Sequence, residues 1–406
     1  MKKTVTQVKK GSNTKAIQIA ERHIFTTYSR FPITLVKAKG INVWDAEGKK
    51  YLDFVSGLAV NNLGHCHPQI IAAIKKQSAE LMHVSNLYYN VPQTELARKL
   101  TSCSFADRVF FCNSGAEANE AAIKLARKFS TDTYGHGRFE IITMNQSFHG
   151  RTMATVSATG QEKVRRGFEP LMTGFKYVPF NDFEGLKKAI TPRTCAIMME
   201  PIQGEGGVNI PDQEYMENVR DLCYAKKILL IFDEVQTGIG RTGKLFAYDH
   251  FEIKPDVMTL AKGLGGGMPM GAMLAREDVA VSFSPGTHAT TFGGNPLSSA
   301  VALAAMKAVD RSLLSNCVNM GKYFMKKLQA IKGKCSLIKD IRGKGLMIGV
   351  ELEIPGKEIT EKLLEKGFLV NCTMDRVLRF LPPLIVKKRE IESVMRALEK
   401  ILMEME

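Results

Sequence analysis

The sequence has no apolar run long enough to cross a lipid bilayer. Its longest runs are as short as Ile228 to Phe232, whereas a membrane-spanning helix needs about 20 successive apolar residues. The first residues, Met1 to Ser12, are basic and polar and no apolar segment follows them. We therefore expect a short tail without a secretory signal, a cytoplasmic location and no membrane partner.

Metal-binding and disulfide patterns are also missing. None of the eight cysteines forms a Cys-x-x-Cys pair, so neither a zinc site nor a disulfide framework is indicated, and reduced thiols fit best. The fragment His65-Cys66-His67 has no second pair at ligand spacing. We interpret it as a turn with local hydrogen bonds and expect no metal.

Common nucleotide and nucleophile motifs are absent as well. The chain has no Gly-Lys-Ser/Thr phosphate loop and no Gly-x-Ser-x-Gly elbow. Residues Gly238 to Gly243 match Gly-x-Gly-x-x-Gly, but no clear amphipathic helix follows them and no βαβ unit frames them, so we do not interpret them as a dinucleotide site.

The formal charge of +15 is the one compositional excess. It is compatible with a nucleic-acid binder, but the Lys and Arg residues are dispersed and no basic run alternates with aromatic residues. A solvated basic surface is favoured over a polyanion-binding face, and its positive field would attract small anionic substrates. We expect no nucleic-acid partner.

The middle of the chain alternates helical patterns with short, continuous apolar runs. This alternation is typical of an α/β fold whose mostly parallel central sheet is flanked by helices, and continuous runs indicate strands covered on both faces. The predicted strands are Val109–Cys112, Glu140–Thr143, Ala196–Met199, Ile228–Phe232 and Val257–Leu260.

The two ends of the chain have different patterns. Up to about Gly57 we expect only short strands and turns, with a hairpin from Val43 to Leu52. From Asp310 the pattern predicts a smaller α+β unit with strand-like pieces in 339–353 and an amphipathic helix in 389–405. The predicted divisions are 1–57, an N-terminal segment of the small domain, 58–309, the large domain, and 310–406, the C-terminal small domain.

Two side chains at predicted strand ends indicate chemistry. Asp233 ends a buried strand, where ligands of open α/β sheets bind, and a carboxylate there needs a positive partner such as a protonated pyridine nitrogen. Lys262 follows the next strand and precedes glycines that let a flat ring approach. Desolvation there helps to supply the neutral amine that a Schiff base needs. Taken singly, Asp233 fits a helix cap and Lys262 a surface lysine.

A third segment, Arg108 to Phe129, predicts a strand, a turn at Asn113 to Gly115 and a helix. Free backbone N–H groups and the helix dipole at Ser114, Gly115 and Ala116 would form a cradle for a phosphate group. A plain capped helix start is the alternative.

Several motifs, taken together and in order, resemble one family. They are NLGHCHP (62–68), NSGAEA (113–118), FHGRT (148–152), EPIQGEGG (200–207), DEVQTGIGRTG (233–243) and TTFGGNPL (290–297). With them the chain resembles the class III (subgroup II) aminotransferases of pyridoxal-phosphate fold type I over nearly its whole length. Within that family, RFPITLVKAKG and GLAVNNLGHCHP resemble the acetylornithine aminotransferases.

The resemblance implies a set of contacts to pyridoxal 5'-phosphate (PLP). Lys262 would hold the cofactor covalently and shuttle a proton, and Asp233 would keep its pyridine nitrogen protonated. Gln236 would bind the phenolic oxygen and Phe148 would stack on the ring. Ser114, Gly115 and Ala116 would bind the phosphate, which Thr291 of a second subunit would also reach. A homodimer with shared active sites follows.

The resemblance also implies a substrate pocket. Arg151 would hold a substrate carboxylate in a bidentate fork, and Arg379 would hold the α-carboxylate of glutamate or 2-oxoglutarate. Glu205 would pair with Arg379 when the other substrate is bound. Tyr28 is a candidate for the pocket mouth. His149 occupies a position where many relatives have Trp, and the sequence leaves its role open.

The activity implied is a ping-pong transamination. The ω-amino group of N2-acetylornithine would pass to 2-oxoglutarate, giving N-acetylglutamate semialdehyde and glutamate in arginine biosynthesis. Alternatives are another ω-aminotransferase of the family, acting on succinyldiaminopimelate, succinylornithine, ornithine or 4-aminobutyrate, and a PLP-dependent aminomutase.

Overall fold

The computed structural model of the protein describes residues 12–406, so the expected tail, apart from Ser12, lies outside the described residues. Strands are β1 (Leu35–Lys39), β2 (Asn42–Asp45), β3 (Lys50–Asp53), β4 (Arg108–Cys112), β5 (Glu140–Met144), β6 (Phe175–Val178), β7 (Thr194–Met199), β8 (Leu229–Asp233), β9 (Val257–Leu260), β10 (Gly271–Ala275), β11 (Ile338–Lys344), β12 (Met347–Leu352), β13 (Phe368–Leu369), β14 (Asn371–Thr373) and β15 (Val377–Phe380).

Helices are α1 (Asn13–His23), α2 (Ser56–Ala59), α3 (Pro68–Glu80), α4 (Val91–Ser102), α5 (Gly115–Tyr134), α6 (Met153–Ala158), α7 (Glu162–Arg165), α8 (Phe183–Ala189), α9 (Gln213–Lys226), α10 (Glu277–Ala280), α11 (Pro296–Ala308), α12 (Arg311–Lys332), α13 (Lys357–Glu365) and α14 (Lys388–Met403). Short 3-10 turns cover Ala247–His250 and Lys262–Gly265. Among residues 12–406, no helix combines the length and the apolar character that crossing a bilayer requires.

The central sheet has seven strands in the order β4-β10-β9-β8-β7-β5-β6. Strands β9, β8, β7, β5 and β6 pair in parallel, and β10 runs antiparallel between β9 and β4. The predicted α/β fold with a mostly parallel sheet is confirmed. Because parallel strands point the same way, the residues that follow β7, β8 and β9 meet at one edge of the sheet.

The continuous apolar strands are explained by packing on both faces of this sheet. Leu230 and Phe232 contribute to one buried apolar cluster, whereas Leu229 and Ile231 contribute to a second cluster on the other face. Successive side chains of a strand point to opposite faces, so a strand between two apolar layers favours apolar residues at every position. The apolar run therefore ends only at Asp233.

The ends of the chain share a further apolar core. Strands β1, β2 and β3 form a sheet with β13, and β13 runs parallel to β3. Phe54, just after β3, packs against Phe380 of β15 with ring centroids 6.3 Å apart. A second small sheet has the order β11-β12-β15-β14. The domain limits at residues 57 and 309 stay a prediction.

The expectation of only strands and turns before Gly57 is wrong, because α1 lies there. The Ser12 side chain caps this helix by accepting a hydrogen bond from the Lys15 N–H. Buried Asn13 then binds Thr34 (2.8 Å) and Asp45 (3.3 Å). Asn13 is the one buried residue of this helix, which is fixed by polar contacts to residues distant in sequence that periodicity does not reveal.

The predicted hairpin is present as β2 and β3. Buried Asp45 organises its turn by accepting hydrogen bonds from the N–H groups of Glu47 (3.0 Å) and Lys49 (2.9 Å) and from the Tyr51 hydroxyl (2.9 Å). Burial alone would raise the pKa of Asp45, but the hydrogen bonds from Tyr51, Asn13 and the turn outweigh it and hold the pKa below its ordinary value.

Asp45→Asn should therefore destabilise the protein by about 1–3 kcal/mol near neutral pH, the range for hydrogen bonds to a charged group. A carboxyl group whose pKa is lower in the folded than in the unfolded state stabilises the fold at pH values above the unfolded-state pKa. This stabilisation is lost as the pH falls through the folded-state pKa. The difference in the free energy of unfolding between wild type and variant should thus become smaller in acid. Urea unfolding at several pH values measures this difference. The exposed Asp132→Asn is the control, and an equal loss in both variants would contradict the role of Asp45.

Candidate active site

A cavity of ≈ 420 Å³ lies at the sheet edge where β8 and β9 end and α5 begins. Its volume is in the range of small-molecule sites. Nine residues predicted from the sequence line it: Ser114, Gly115, Ala116, Phe148, Arg151, Glu205, Asp233, Gln236 and Lys262. The predicted segments, which are far apart in sequence, are therefore brought together.

Asp233 is the last residue of β8 and is buried. Its Oδ2 atom accepts hydrogen bonds from Asn119 Nδ2 (2.7 Å) and lies 2.8 Å from His149 Nδ1. Its Oδ1 atom accepts the backbone N–H of Val235 (3.0 Å). The carboxylate is fixed in rotation at the cavity wall, where a ligand with a positive N–H group would complete its electrostatic balance.

Lys262 lies just beyond β9 and opens a 3-10 turn, with a left-handed φ of 44°. A non-glycine residue in this region is strained, and such strain is common at functional sites. Burial lowers the pKa of the Lys262 ammonium below its ordinary value. Arg379 adds to this effect, whereas the carboxylates of Glu205 and Asp233 oppose it. A lowered pKa increases the share of the neutral amine, which is the nucleophilic form of lysine.

The N-terminus of α5 supplies backbone donors. Ser114 caps the helix, its Oγ accepting the N–H of Glu117 (3.2 Å), and the Glu117 carboxylate accepts the N–H of Asn113 (2.9 Å). The N–H groups of a first helical turn have no acceptor within the helix. A side chain at Gly115 would meet Val235 Cγ1 at 2.7 Å, so glycine is what allows close packing here. The arrangement suits an anionic group.

Arg379 and Glu205 form an ion pair beside Lys262. Arg379 is fully buried, and its Nη1 donates to Glu205 Oε1 (2.7 Å) and to Gln236 Oε1 (3.1 Å). Burial alone would raise the pKa of Glu205, but Arg379 and then Lys262 outweigh it and hold that pKa below its ordinary value. Among residues 12–406, Arg379 Nη2 has no hydrogen-bond partner although it is buried.

Arg151 and Phe148 lie together on the cavity wall. The Arg151 guanidinium is 5.3 Å from the centroid of the Phe148 ring, and Arg151 is exposed. Its position allows an incoming anion to reach the guanidinium from solvent.

Three predicted residues do not line this cavity in the single chain. Arg379 reaches it only through Glu205 and Gln236. Thr291 is exposed and lines a separate surface pocket with Asn86 and Tyr89. Tyr28 is 73% exposed and contacts Arg30. The roles of Thr291 and Tyr28 stay predictions.

Asn119 and Glu200 also line the cavity, although the sequence reasoning did not select them. Glu200 follows β7 as Asp233 ends β8. Burial raises the pKa of Glu200 to about 7; His149 opposes this effect and the Asp233 charge adds to it. Asn119 is a polar residue on the buried face of α5. A polar residue on a buried helix face, or an acid just after a buried strand, is the signal that would have found them.

Comparisons with known proteins agree with this geometry. The family described as "Aminotransferase class-III" matches residues 25–402. An acetylornithine aminotransferase of Methanocaldococcus jannaschii is 53% identical over 389 residues, covering 96% of this chain and 98% of the relative. That of Caldanaerobacter subterraneus is 54% identical over 390 residues, covering 96% of this chain and 99% of the relative.

Solved structures give the same assignment. The ornithine aminotransferase of Toxoplasma gondii superposes with a TM-score of 0.94 at 35% identity, covering 98% of this chain and 96% of the other. The acetylornithine aminotransferase of Elizabethkingia anophelis superposes with a TM-score of 0.87 at 34% identity, covering 97% of this chain and 99% of the other. With this fold, and with its cavity at the sheet edge, the chain belongs to the class-III aminotransferases.

Proposed function

We propose that this enzyme transfers the ω-amino group of N2-acetylornithine to 2-oxoglutarate, giving N-acetylglutamate semialdehyde and glutamate. The observation that carries the proposal is the full-length identity of about half with relatives named acetylornithine aminotransferase. The cavity supports it, because Lys262, Asp233 and Glu205 line one volume and Glu205 is paired with Arg379. The expected setting is arginine biosynthesis in the cytoplasm.

Class-III aminotransferases use pyridoxal 5'-phosphate, and PLP is the cofactor of this enzyme. The cavity residues fit the group, since PLP carries an aldehyde, a basic ring nitrogen and a phosphate. When bound, PLP supplies an electron-accepting ring that stabilises negative charge at the carbon bearing the amino group. The proposed holders of these parts are Lys262, Asp233 and the N-terminus of α5.

The proposed roles of the cofactor-facing residues rest on the family resemblance and on their places in the cavity wall. Lys262 would hold the aldehyde carbon covalently through its Nζ atom, with the aldehyde oxygen leaving as water, and the same atom would later move a proton. Asp233 would keep the ring nitrogen protonated. The N–H groups of Ser114, Gly115 and Ala116 would hold the phosphate, Gln236 would bind the phenolic oxygen and Phe148 would pack on the ring.

The Glu205–Arg379 pair lets one pocket accept two substrates. When an acylated ornithine donates its amino group, Glu205 stays paired with Arg379, and the substrate carboxylate is left for Arg151. When 2-oxoglutarate enters, Glu205 releases Arg379, whose guanidinium can then hold a carboxylate through two parallel hydrogen bonds. The unpaired Nη2 atom already present supports this role.

A comparison of amino donors tests the proposed substrate. Purified, PLP-loaded enzyme should turn over N2-acetylornithine with a much higher kcat/KM than ornithine, because a site that leaves a charged α-ammonium unpaired disfavours it. Ornithine is the competing donor, favoured by the structural likeness to an ornithine aminotransferase. Comparable kcat/KM for the two donors would contradict the proposal, and 4-aminobutyrate and succinylornithine serve as further comparisons.

Arg379→Ala should raise the KM for 2-oxoglutarate, roughly 30-fold or more, because truncating one partner of a buried charge pair costs about 2–5 kcal/mol. Arg379→Lys should rescue it only in part, since an ammonium cannot hold a carboxylate in a bidentate fork. Glu205→Gln is the matched control: it removes the carboxylate that competes for Arg379, so the KM for 2-oxoglutarate should fall or stay the same and should not rise. Steady-state kinetics for both half-reactions measure these effects. Equal KM values in all variants would exclude Arg379 as the carboxylate site.

A homodimer with shared sites is the proposed assembly. A group of large apolar side chains is exposed on one chain near Thr291, namely Leu87 (85%), Tyr88 (70%), Tyr89 (97%), Val91 (74%) and Phe292 (59%). Exposed apolar groups of this kind mark interaction surfaces. In a dimer, Thr291 would bind the PLP phosphate of the neighbouring subunit.

Mixing two variants tests this assembly. Thr291→Ala should weaken PLP binding, and Lys262→Ala should stop turnover. If each site combines Thr291 of one subunit with Lys262 of the other, heterodimers of the two variants hold one intact site. When the Thr291→Ala and Lys262→Ala chains are unfolded and refolded together at limiting PLP, activity should therefore appear. No recovery, with dimers seen by sedimentation, would place Thr291 outside the shared site.

A further inference from the structure

His149 contacts Asp233, and the sequence left its role open. Its side chain is fully buried, and its Nδ1 atom lies 2.8 Å from Asp233 Oδ2. The same carboxylate oxygen accepts Asn119 Nδ2 at 2.7 Å. Among residues 12–406, His149 is the one ionisable side chain within ion-pair distance of Asp233.

The orientation of Asn119 is fixed by its neighbours. The Thr259 hydroxyl donates to Asn119 Oδ1 (2.7 Å), so the other end of the amide is the donor end. Its Nδ2 group donates to both Asp233 Oδ2 and the backbone oxygen of His149 (2.7 Å). Asn119 therefore ties the carboxylate and the His149 backbone together from one helix.

The imidazole is held from its own backbone as well. The His149 N–H donates to the Thr159 hydroxyl (3.0 Å), and its carbonyl accepts from Asn119. Its Nε2 atom is buried and has no partner among the described residues. With the proton on Nδ1, the ring donates to Asp233 and leaves only a lone pair unpaired, which costs less than an unpaired N–H group.

A second carboxylate lies close to this ring. Glu200 is buried and accepts the N–H groups of Phe148 (3.2 Å) and Gly204 (3.1 Å). Burial raises the pKa of Glu200, the neighbouring His149 opposes this effect, and the charge of Asp233 adds to it. The imidazole thus lies in an acidic, buried part of the cavity wall, where a donor aimed at one carboxylate has a large effect on its position.

We propose that His149 is a positioning residue for Asp233: its Nδ1–H group, with Asn119, fixes the carboxylate in the rotation that meets the ring nitrogen of the cofactor. This inference rests on the proposed role of Asp233. The His149 imidazole is fully buried and acts through the acid that it contacts. Loss of the Nδ1 donor should let the carboxylate rotate and should weaken both cofactor binding and the chemical step.

His149→Asn and His149→Leu form a matched pair. The two side chains have nearly the same shape, and the Asn amide places a donor where Nδ1 stands in histidine. The Leu variant should bind PLP roughly tenfold less tightly and lose kcat by a similar factor, the scale of one hydrogen bond to a charged group. The Asn variant should recover most of both losses. The KM for 2-oxoglutarate should stay unchanged in both.

Titration of apo-protein with PLP, followed by fluorescence, gives a readout independent of turnover. A second readout is measured on the wild-type protein and so does not depend on the folding of the Leu variant. In the proton NMR spectrum of wild-type apo-protein, the buried Nδ1–H should give a low-field signal that is absent from His149→Asn. The exposed His136→Asn should keep that signal. Equal PLP affinity in the Asn and Leu variants, or no such signal in the wild type, would overturn the inference.

Asp233→Asn separates this inference from the proposed function. If that variant binds PLP and turns over like the wild type, the role of Asp233 itself fails. If it is impaired while His149→Leu is not, only the positioning role of His149 fails. The inference is supported when both are impaired and His149→Asn is not.

Discussion

A buried carboxylate at the end of a central strand is the constraint on which the site depends. Asp233 ends an apolar strand packed on both faces, and hydrogen bonds from Asn119, His149 and the Val235 N–H hold it. Burying a charge is costly unless it is paired. The hydrogen-bond donors around Asp233 lower the cost of burying its charge, and a cationic ligand would neutralise that charge. A protonated ring nitrogen would be such a cation.

The same low-dielectric layer acts on the other charges of the cavity. Burial lowers the pKa of Lys262 and favours its neutral, nucleophilic form. In contrast, Arg379 and Lys262 hold Glu205 ionised by lowering its pKa against the effect of burial. One environment thus keeps an amine reactive and an ion pair intact at neighbouring positions. An ion pair that can exchange its carboxylate for that of a substrate gives a single pocket two specificities.

Much of the fold could be predicted from sequence because its signals are local. Continuous apolar runs marked the central strands, and the residues that end them, Asp233 and Lys262, marked the site edge. The helix Asn13–His23 was not predicted. Its apolar residues are not buried, and it is fixed by polar contacts of Ser12 and Asn13. Arg379 was found by resemblance alone, since nothing local distinguishes it from a surface arginine.

Other parts of the site depend on contacts between distant segments. Asn119 comes from a helix and His149 from a loop, and only the fold brings both to one oxygen of Asp233. Thr291 and Tyr28 remain away from the cavity of one chain. A second subunit is the proposed reason for Thr291, and periodicity within a single sequence carries no information about such contacts.

Reductive trapping tests the central claim, that Lys262 and Asp233 hold one aromatic aldehyde between them. Protein loaded with PLP is treated with borohydride, digested and analysed by mass spectrometry, with Lys262→Ala as the control. The account predicts a stable cofactor adduct on Lys262, no adduct at comparable yield in the variant, and weaker loading when Asp233 is replaced by Asn. An adduct on a different lysine, or none in the wild type, would contradict it.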